Sequence, residues 1–257
     1  MDKDNVFKSC NFYLDDGDVV HVLIRDFVGD SLSISLNDNV GTQEDDTEIA
    51  MGGELYAGIY GALYNWYAAT DVRNIANTGW HVPTKAEFDT LVTYLGGWAV
   101  AGGKLKEVGF IYWSPPNTGA INEVGFNGRG AGHRNGTTGA FQVIMVENYI
   151  ALNQDYMGAY GFVLLKSTNS EAITTTVTIY KTGSSIRFIK DDSVEAQYIG
   201  NDGKVYDCIK IGGQVWLASN LAETKYRNGD LIPEVTDNAA WAALTTAGMC
   251  YYNNVEI

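Results

Sequence analysis

The sequence predicts an α+β fold: two helices among short antiparallel strands and long loops, with a small all-β module ahead of them. Three observations carry that expectation. Two segments have complete helix punctuation, and several others alternate apolar and polar residues over strand lengths. Glycine is plentiful at 29 residues and proline scarce at 4, a balance that suits a loop-rich globular chain. With 257 residues, 46% hydrophobic and 19% charged, there is room for one large domain or two small ones.

The first 53 residues stand apart by charge. They hold 12 Asp or Glu against 3 Lys or Arg, leaving 19 against 14 in the remainder. Val20, Val22 and Ile24 alternate with His21, Leu23 and Arg25, and "SLSISL" alternates from Ser31 to Leu36. Asp-Gly at 16–17 and Gly-Asp at 29–30 mark turns between three expected antiparallel strands. Residues 37–53 read as a polar linker. A separate acidic β module over 1–53 is therefore expected, followed by a second domain over 54–257.

The first helix begins at Thr84, which can cap free amides, with Glu87 at the capping-box position. Phe88, Leu91, Val92 and Leu95 share one face, and Gly96–Gly97 stop it. The second begins at Asp237, turns Trp241 and Leu244 inward and stops at Gly248. Between them lie the glycine-rich "GFNGRGAGHRNGTTGAF" (125–141) and the β-rich "AITTTVTIYKTGSSIRFIKDD" (172–192).

Charge and composition exclude several functions. A net charge of −14 argues against binding a phosphate backbone. No run of 18 apolar residues predicts a membrane span. Cys10, Cys208 and Cys250 form an odd set without CxxC spacing, so neither a disulfide framework nor a zinc site is expected. The opening residues lack a basic stretch followed by an apolar one, so no secretory leader is expected. A protein of this kind acting outside a cell would need another route, such as release within a virus particle.

Two stretches carry a resemblance. "VYDCIKIGGQVWLASNL", then Tyr226, Gly229, Ile232 and Pro233, then "GMCYYNN", is similar to the opening of the Fibrobacter succinogenes major paralogous domain, a lectin-like module common in Bacteroidetes. "YGALYNWYAA", "GWHVPTKAEFDTL", "AGGKLKE" and "SIRFIKD" resemble its later part. Here the later part, 55–192, precedes the opening part, 198–257. The resemblance therefore implies a circularly permuted C-type-lectin-like domain. In it "SIRFIK" (185–190) is the old last strand and "VYDCIKI" (205–211) the old first strand, expected to pair. Neighbouring termini make such a rearrangement compatible with an unchanged core. Domain swapping, with the C-terminal segment completing a neighbouring subunit, fits the same pattern.

Motif by motif, chemistry is sparse. His81 in "GWHVPT" has no metal-like partners in sequence and reads as a structural histidine at a strand–helix junction. Trp66, Trp80 and Trp216 read as core. "LDDGD" (14–18) and "NDGKVYD" (201–207) are explained by Asp-Gly turns rather than calcium loops. "SPPNTGAINE" (114–123) lacks the acidic residue of a calcium-dependent sugar loop, and "GRGAGHRNG" (128–136) lacks the Lys-Ser/Thr of a phosphate loop. No catalytic set, cofactor or metal is expected. The formylglycine-generating relatives of the lectin-like fold depend on cysteines whose context is absent here.

The expectation is a non-enzymatic phage virion protein, a fibre, decoration or tail-associated component. Residues 1–53 would attach it to other virion proteins, and homotrimers are typical of fibres. The lectin-like body would contact a host-surface glycan or protein through the loop region holding Asn135, Tyr149, Asn153, Tyr156 and Tyr160. The alternative is a bacterial surface or secreted carbohydrate-binding module. Neither reading involves nucleic acid or membrane insertion.

Overall fold

The computed structural model describes residues 58–155, 159–194 and 197–254, with side chains throughout except at 159 and 173–178. It also describes the backbone of four strands nearer the N-terminus. The chain divides into two compact units, Met1–Leu55 with Ile257, and Tyr56–Glu256. The first is one antiparallel sheet in chain order: β1 (Cys10–Tyr13), β2 (Val19–Val28), β3 (Ser31–Leu36) and β4 (Glu48–Ala50). A fourth strand thus arises within the expected linker, Ser31 facing Ala50 and Ser33 facing Glu48. The short tripeptide "EIA" gave no alternation to read.

The second unit has mixed helix and strand content, mostly in small antiparallel sheets. Its described residues open on a helical segment over 58–60, followed by β5 (Ala62–Tyr64), α1 (Trp66–Ala69) and β6 (Trp80–His81). Next come α2 (Lys85–Tyr94) and α3 (Trp98–Leu105). Two short strands, β7 (His133–Arg134) and β8 (Phe141–Gln142), pair with each other. The three-stranded sheet β11-β10-β9 is built from β9 (Glu147–Asp155), β10 (Ala159–Lys166) and β11 (Ala172–Ile179). Then follow β12 (Ile189–Lys190), β13 (Tyr198–Ile199), β14 (Val205–Tyr206), β15 (Cys208–Ile211) and β16 (Gln214–Leu217). Last among the described elements are α4 (Asn238–Ala243), β17 (Met249–Tyr251) and a 3-10 turn over Tyr252–Asn254.

Both expected helices form. Thr84 accepts from the Glu87 amide while the Glu87 carboxylate accepts from the Thr84 amide, closing the capping box. Phe88, Leu91, Val92 and Leu95 are buried. Asp237 caps α4 through the Ala240 amide, 2.7 Å away, but this helix ends at Ala243, well before Gly248. Beyond the two expected helices, the described residues hold α1, α3 and a helical segment over 58–60. α1 is a single turn capped by Asn65. α3 contains Gly102 and Gly103, which lower its intrinsic preference. They are needed there: a Cβ on Gly102 would lie 2.1 Å from the Glu171 carbonyl oxygen, and one on Gly103 2.2 Å from that of Gly119.

The expected pairing of "SIRFIK" with "VYDCIKI" is corrected. The sheet runs β15-β16-β12-β6, so Ile189 faces Trp216 of β16 on one side and His81 of β6 on the other. The tight β15–β16 hairpin takes the place beside β12 that the lone strand was to fill. "VYDCIKI" itself splits at Asp207: Val205–Tyr206 pairs with β13 and Cys208–Ile211 with β16.

The central and C-terminal segments share one interior. One buried cluster joins Tyr64, Trp80 and Phe188 to Tyr198, Val215, Leu217, Tyr226 and Met249. A second joins α2, α3 and the three-stranded sheet to Ile211 and Trp216. Trp216 is fully buried, edge-on to Phe88 at 5.7 Å and to Phe126 at 6.2 Å. β17 lies antiparallel to β5, with Met249 facing Tyr64 and Tyr251 facing Ala62.

Candidate functional site

Four of the five sequence-predicted contact residues lie among the described residues. Asn153 is exposed near the end of β9. Asn135 is half-buried and occupied with its own turn, its Oδ1 accepting from the Thr137 and Thr138 amides. Tyr149 lies between His133 and Phe162, ring centroids 4.3 and 4.6 Å away, and donates to Glu147. Burial drives the His133 pKa down and, with that carboxylate, the Tyr149 pKa up. Tyr160 is a core residue, not a surface one: it is fully buried, its hydroxyl 2.7 Å from both the Thr182 carbonyl and Ser184 Oγ. Tyr156 lies outside the described residues, as do "LDDGD" and the Cys10 side chain.

Other motifs resolve into structural roles. His81 bridges Glu87 (2.8 Å) and Asp191 (2.6 Å), tying β6 to the start of α2. Asp202 in "NDGKVYD" accepts from the Lys204 and Thr224 amides and pairs with the Lys204 ammonium at 2.5 Å. Asn117 donates to the Glu107 and Gly109 carbonyls. Arg134 is buried with its guanidinium between Phe141 (4.6 Å) and Trp241 (4.5 Å). Trp80 and Trp216 are buried, and Trp66 stacks on Tyr180 at 4.4 Å. Burial pushes the Cys250 thiol up to about 12 and also raises Cys208, so neither rests as a reactive thiolate at neutral pH. Among the described residues no group of three His, Cys, Asp or Glu side chains could hold a metal.

A cavity of about 240 Å³ opens where three segments meet. The loop after Phe126 supplies Asn127 and Arg129, the β14–β15 junction Val205 and Asp207, and the turn after β16 Ser219. Ile59 completes the apolar side. Arg129 is held on three sides: Nε donates to Glu107 at 2.6 Å, Nη1 to the Ile59 carbonyl at 3.0 Å, and the guanidinium lies 4.0 Å over Tyr112. The Asp207 carboxylate is exposed, and neither it nor the Ser219 hydroxyl has a side-chain hydrogen-bond partner among the described residues.

Beneath the cavity sits Arg187, fully buried. It donates to Asn220 Oδ1 at 2.8 Å, to the Asn127 carbonyl at 2.9 Å, and to the Phe126 and Leu217 carbonyls. Asn220 in turn donates to the Tyr60 carbonyl and to Ser185 Oγ. This network fixes the cavity floor. Burial, reinforced by Arg129, lowers the Arg187 pKa to about 9. The sequence reading missed this site. The one available signal was Asp207, a charge interrupting an otherwise alternating strand.

These observations define an α+β unit with an ordered polar cavity and thiols that burial leaves protonated. The chain matches the Fibrobacter succinogenes major domain over residues 25–190 and belongs to that family. The match begins within β2 and stops at β12, so it does not extend to 198–257. No curated protein and no solved structure matches the chain.

Proposed function

We propose that the protein is a non-catalytic adhesion component of a phage particle, its second unit a circularly permuted C-type-lectin-like body presenting loops to a host-surface glycan or protein. The carrying observation is how its long loops are held. Arg134, Arg187 and Lys106 are buried and donate mainly to main-chain carbonyls, so side chains that could serve chemistry serve loop rigidity instead. Residues 1–53 would join the other particle proteins, in a homo-oligomer.

Two features support the permuted order. β17 and β5 are adjacent and antiparallel, so the chain leaves one strand beside the point where it enters the other. A short turn there would restore the family order. The central and C-terminal segments also share one buried cluster, in which Tyr64 and Phe188 pack with Val215 and Met249. The cavity favours a second reading, a carbohydrate-binding module on a bacterial surface.

Mass spectrometry of purified particles separates the two, together with binding of the purified full chain to host cells. Detection in particles and saturable cell binding are expected. Absence from particles with retained cell binding would transfer the protein to the bacterial surface, and loss of both would end the adhesion reading.

A further inference from the structure

The cavity has features that narrow what it can hold. Its volume of about 240 Å³ is below the ~300–1,000 Å³ of drug-sized pockets, so it takes one ring rather than an oligomer. Its polar groups are of both kinds. Asp207 only accepts, Ser219 donates and accepts, and Arg129 keeps Nη2 without a partner among the described residues. Ile59 and Val205, the latter 58% exposed, give an apolar side.

The local charges balance. Arg129 is paired with Glu107, and the buried Arg187 below faces a cavity edged by Asp207. An anionic ligand would meet the unpaired Asp207 carboxylate, and a cationic one would meet the Arg129 guanidinium with the buried Arg187 below the floor. A neutral ligand avoids both. It needs several hydroxyl groups to engage donors and acceptors together, and a C–H face to cover Ile59 and Val205.

Resting on the adhesion reading above, we propose that this cavity is the subsite for a single neutral pyranose ring of a surface glycan. Two ring hydroxyls donate to the Asp207 carboxylate, Arg129 Nη2 donates to a third ring oxygen, and Ser219 secures a fourth contact. Asp207 and Ser219 hold no structural hydrogen bonds through their side chains, so both can be truncated without disturbing the fold. Arg129 cannot, because it anchors Glu107 and Ile59.

The test is an NMR titration of the full chain with the methyl glycosides of glucose, galactose and mannose, and with glucuronate as the anionic probe. At least one neutral glycoside is expected to bind with a dissociation constant on the order of millimolar. Glucuronate should bind at least about tenfold more weakly. Asp207→Ala should weaken the neutral glycoside about tenfold or more and Ser219→Ala several-fold. Asn153→Ala, on the three-stranded sheet, should leave it unchanged.

Three results would overturn the subsite: glucuronate binding as well as the neutral glycosides, unaltered binding by both cavity variants, or no glycoside bound by a chain that still adheres to cells. In each of these the adhesion reading survives, because it stands on cell binding. If only Asn153→Ala weakened the glycoside, the ring would sit on the sheet instead.

Discussion

Replacing Glu223 by Gln is expected to remove most of the fall in stability between pH 4.5 and about 7. Glu223 is fully buried behind the β13–β14 hairpin. One carboxylate oxygen, Oε2, lies 3.3 Å from the Asp202 amide, while Oε1 has no hydrogen-bond partner. Gly200 packs so closely that a Cβ there would lie 1.6 Å from Oε1. Burial, followed by the neighbouring Asp202 carboxylate, raises the Glu223 pKa from 4.5 to about 7.

A carboxyl whose pKa rises on folding is held more tightly by its proton in the folded state. Its contribution is therefore fully present below pH 4.5 and lost as pH rises through 7, to a total of about 3 kcal/mol. Gln keeps the shape without the charge. The variant should match the parent at about pH 4 and exceed it by up to about 3 kcal/mol at about pH 8, or by about 6 to 12 °C in Tm.

All 6 tryptophans lie between residues 66 and 241, so their fluorescence during urea unfolding follows the second unit alone. His133, its pKa lowered by burial, adds stability as pH rises toward 6.5, but it does so equally in both proteins. Asp202 is protected against burial by Lys204 and the Lys204 and Thr224 amides, and it titrates below its ordinary 3.8. The difference between parent and variant therefore isolates Glu223. Equal slopes in the two proteins would refute the reasoning.

Arg187→Met should destabilise the second unit by about 3–5 kcal/mol in the same urea assay, because it strands three carbonyls and Asn220 Oδ1 in the interior. Lys should not rescue it, lacking the planar fork. Gly139→Ala should cost more than Gly203→Ala. Both glycines have positive φ, but only at Gly139 would the new Cβ lie 2.0 Å from a backbone oxygen, that of Asn238. A chain re-ordered so that 198–254 precedes 58–192 through a short turn should fold with native near-ultraviolet circular dichroism, and a molten product would count against the permuted order.

What could be read from the sequence was what is decided locally. The capping box at Thr84–Glu87 and the Asp237 cap are bonds between residues three apart, so residue type and spacing suffice. α3 was invisible for the opposite reason. Its glycines oppose a helix locally, and only the backbone of residues 119 and 171 explains them. Tyr160 failed likewise: it looks like a loop aromatic, yet its hydroxyl partners lie 22 and 24 residues further along. The site was less legible than the fold, since Arg129, Asp207 and Ser219 meet only through tertiary folding.

The buried cations and the acidic surface are two sides of one arrangement. Loops that cross an interior leave carbonyls without ladder partners, and each needs a donor. Lys106 supplies the Thr118, Lys166 and Asn169 carbonyls, Arg134 those of Gly139, Val235 and Thr236, and Arg187 those of Phe126, Asn127 and Leu217. None of the three cations forms a salt bridge among the described residues, so no carboxylate follows them inside as a partner. Burial accordingly pulls Lys106 down to about 8. Cations withdrawn into the core leave the surface of a chain of net charge −14 more acidic than its composition implies. Such a surface repels phosphate backbones and other polyanions at long range.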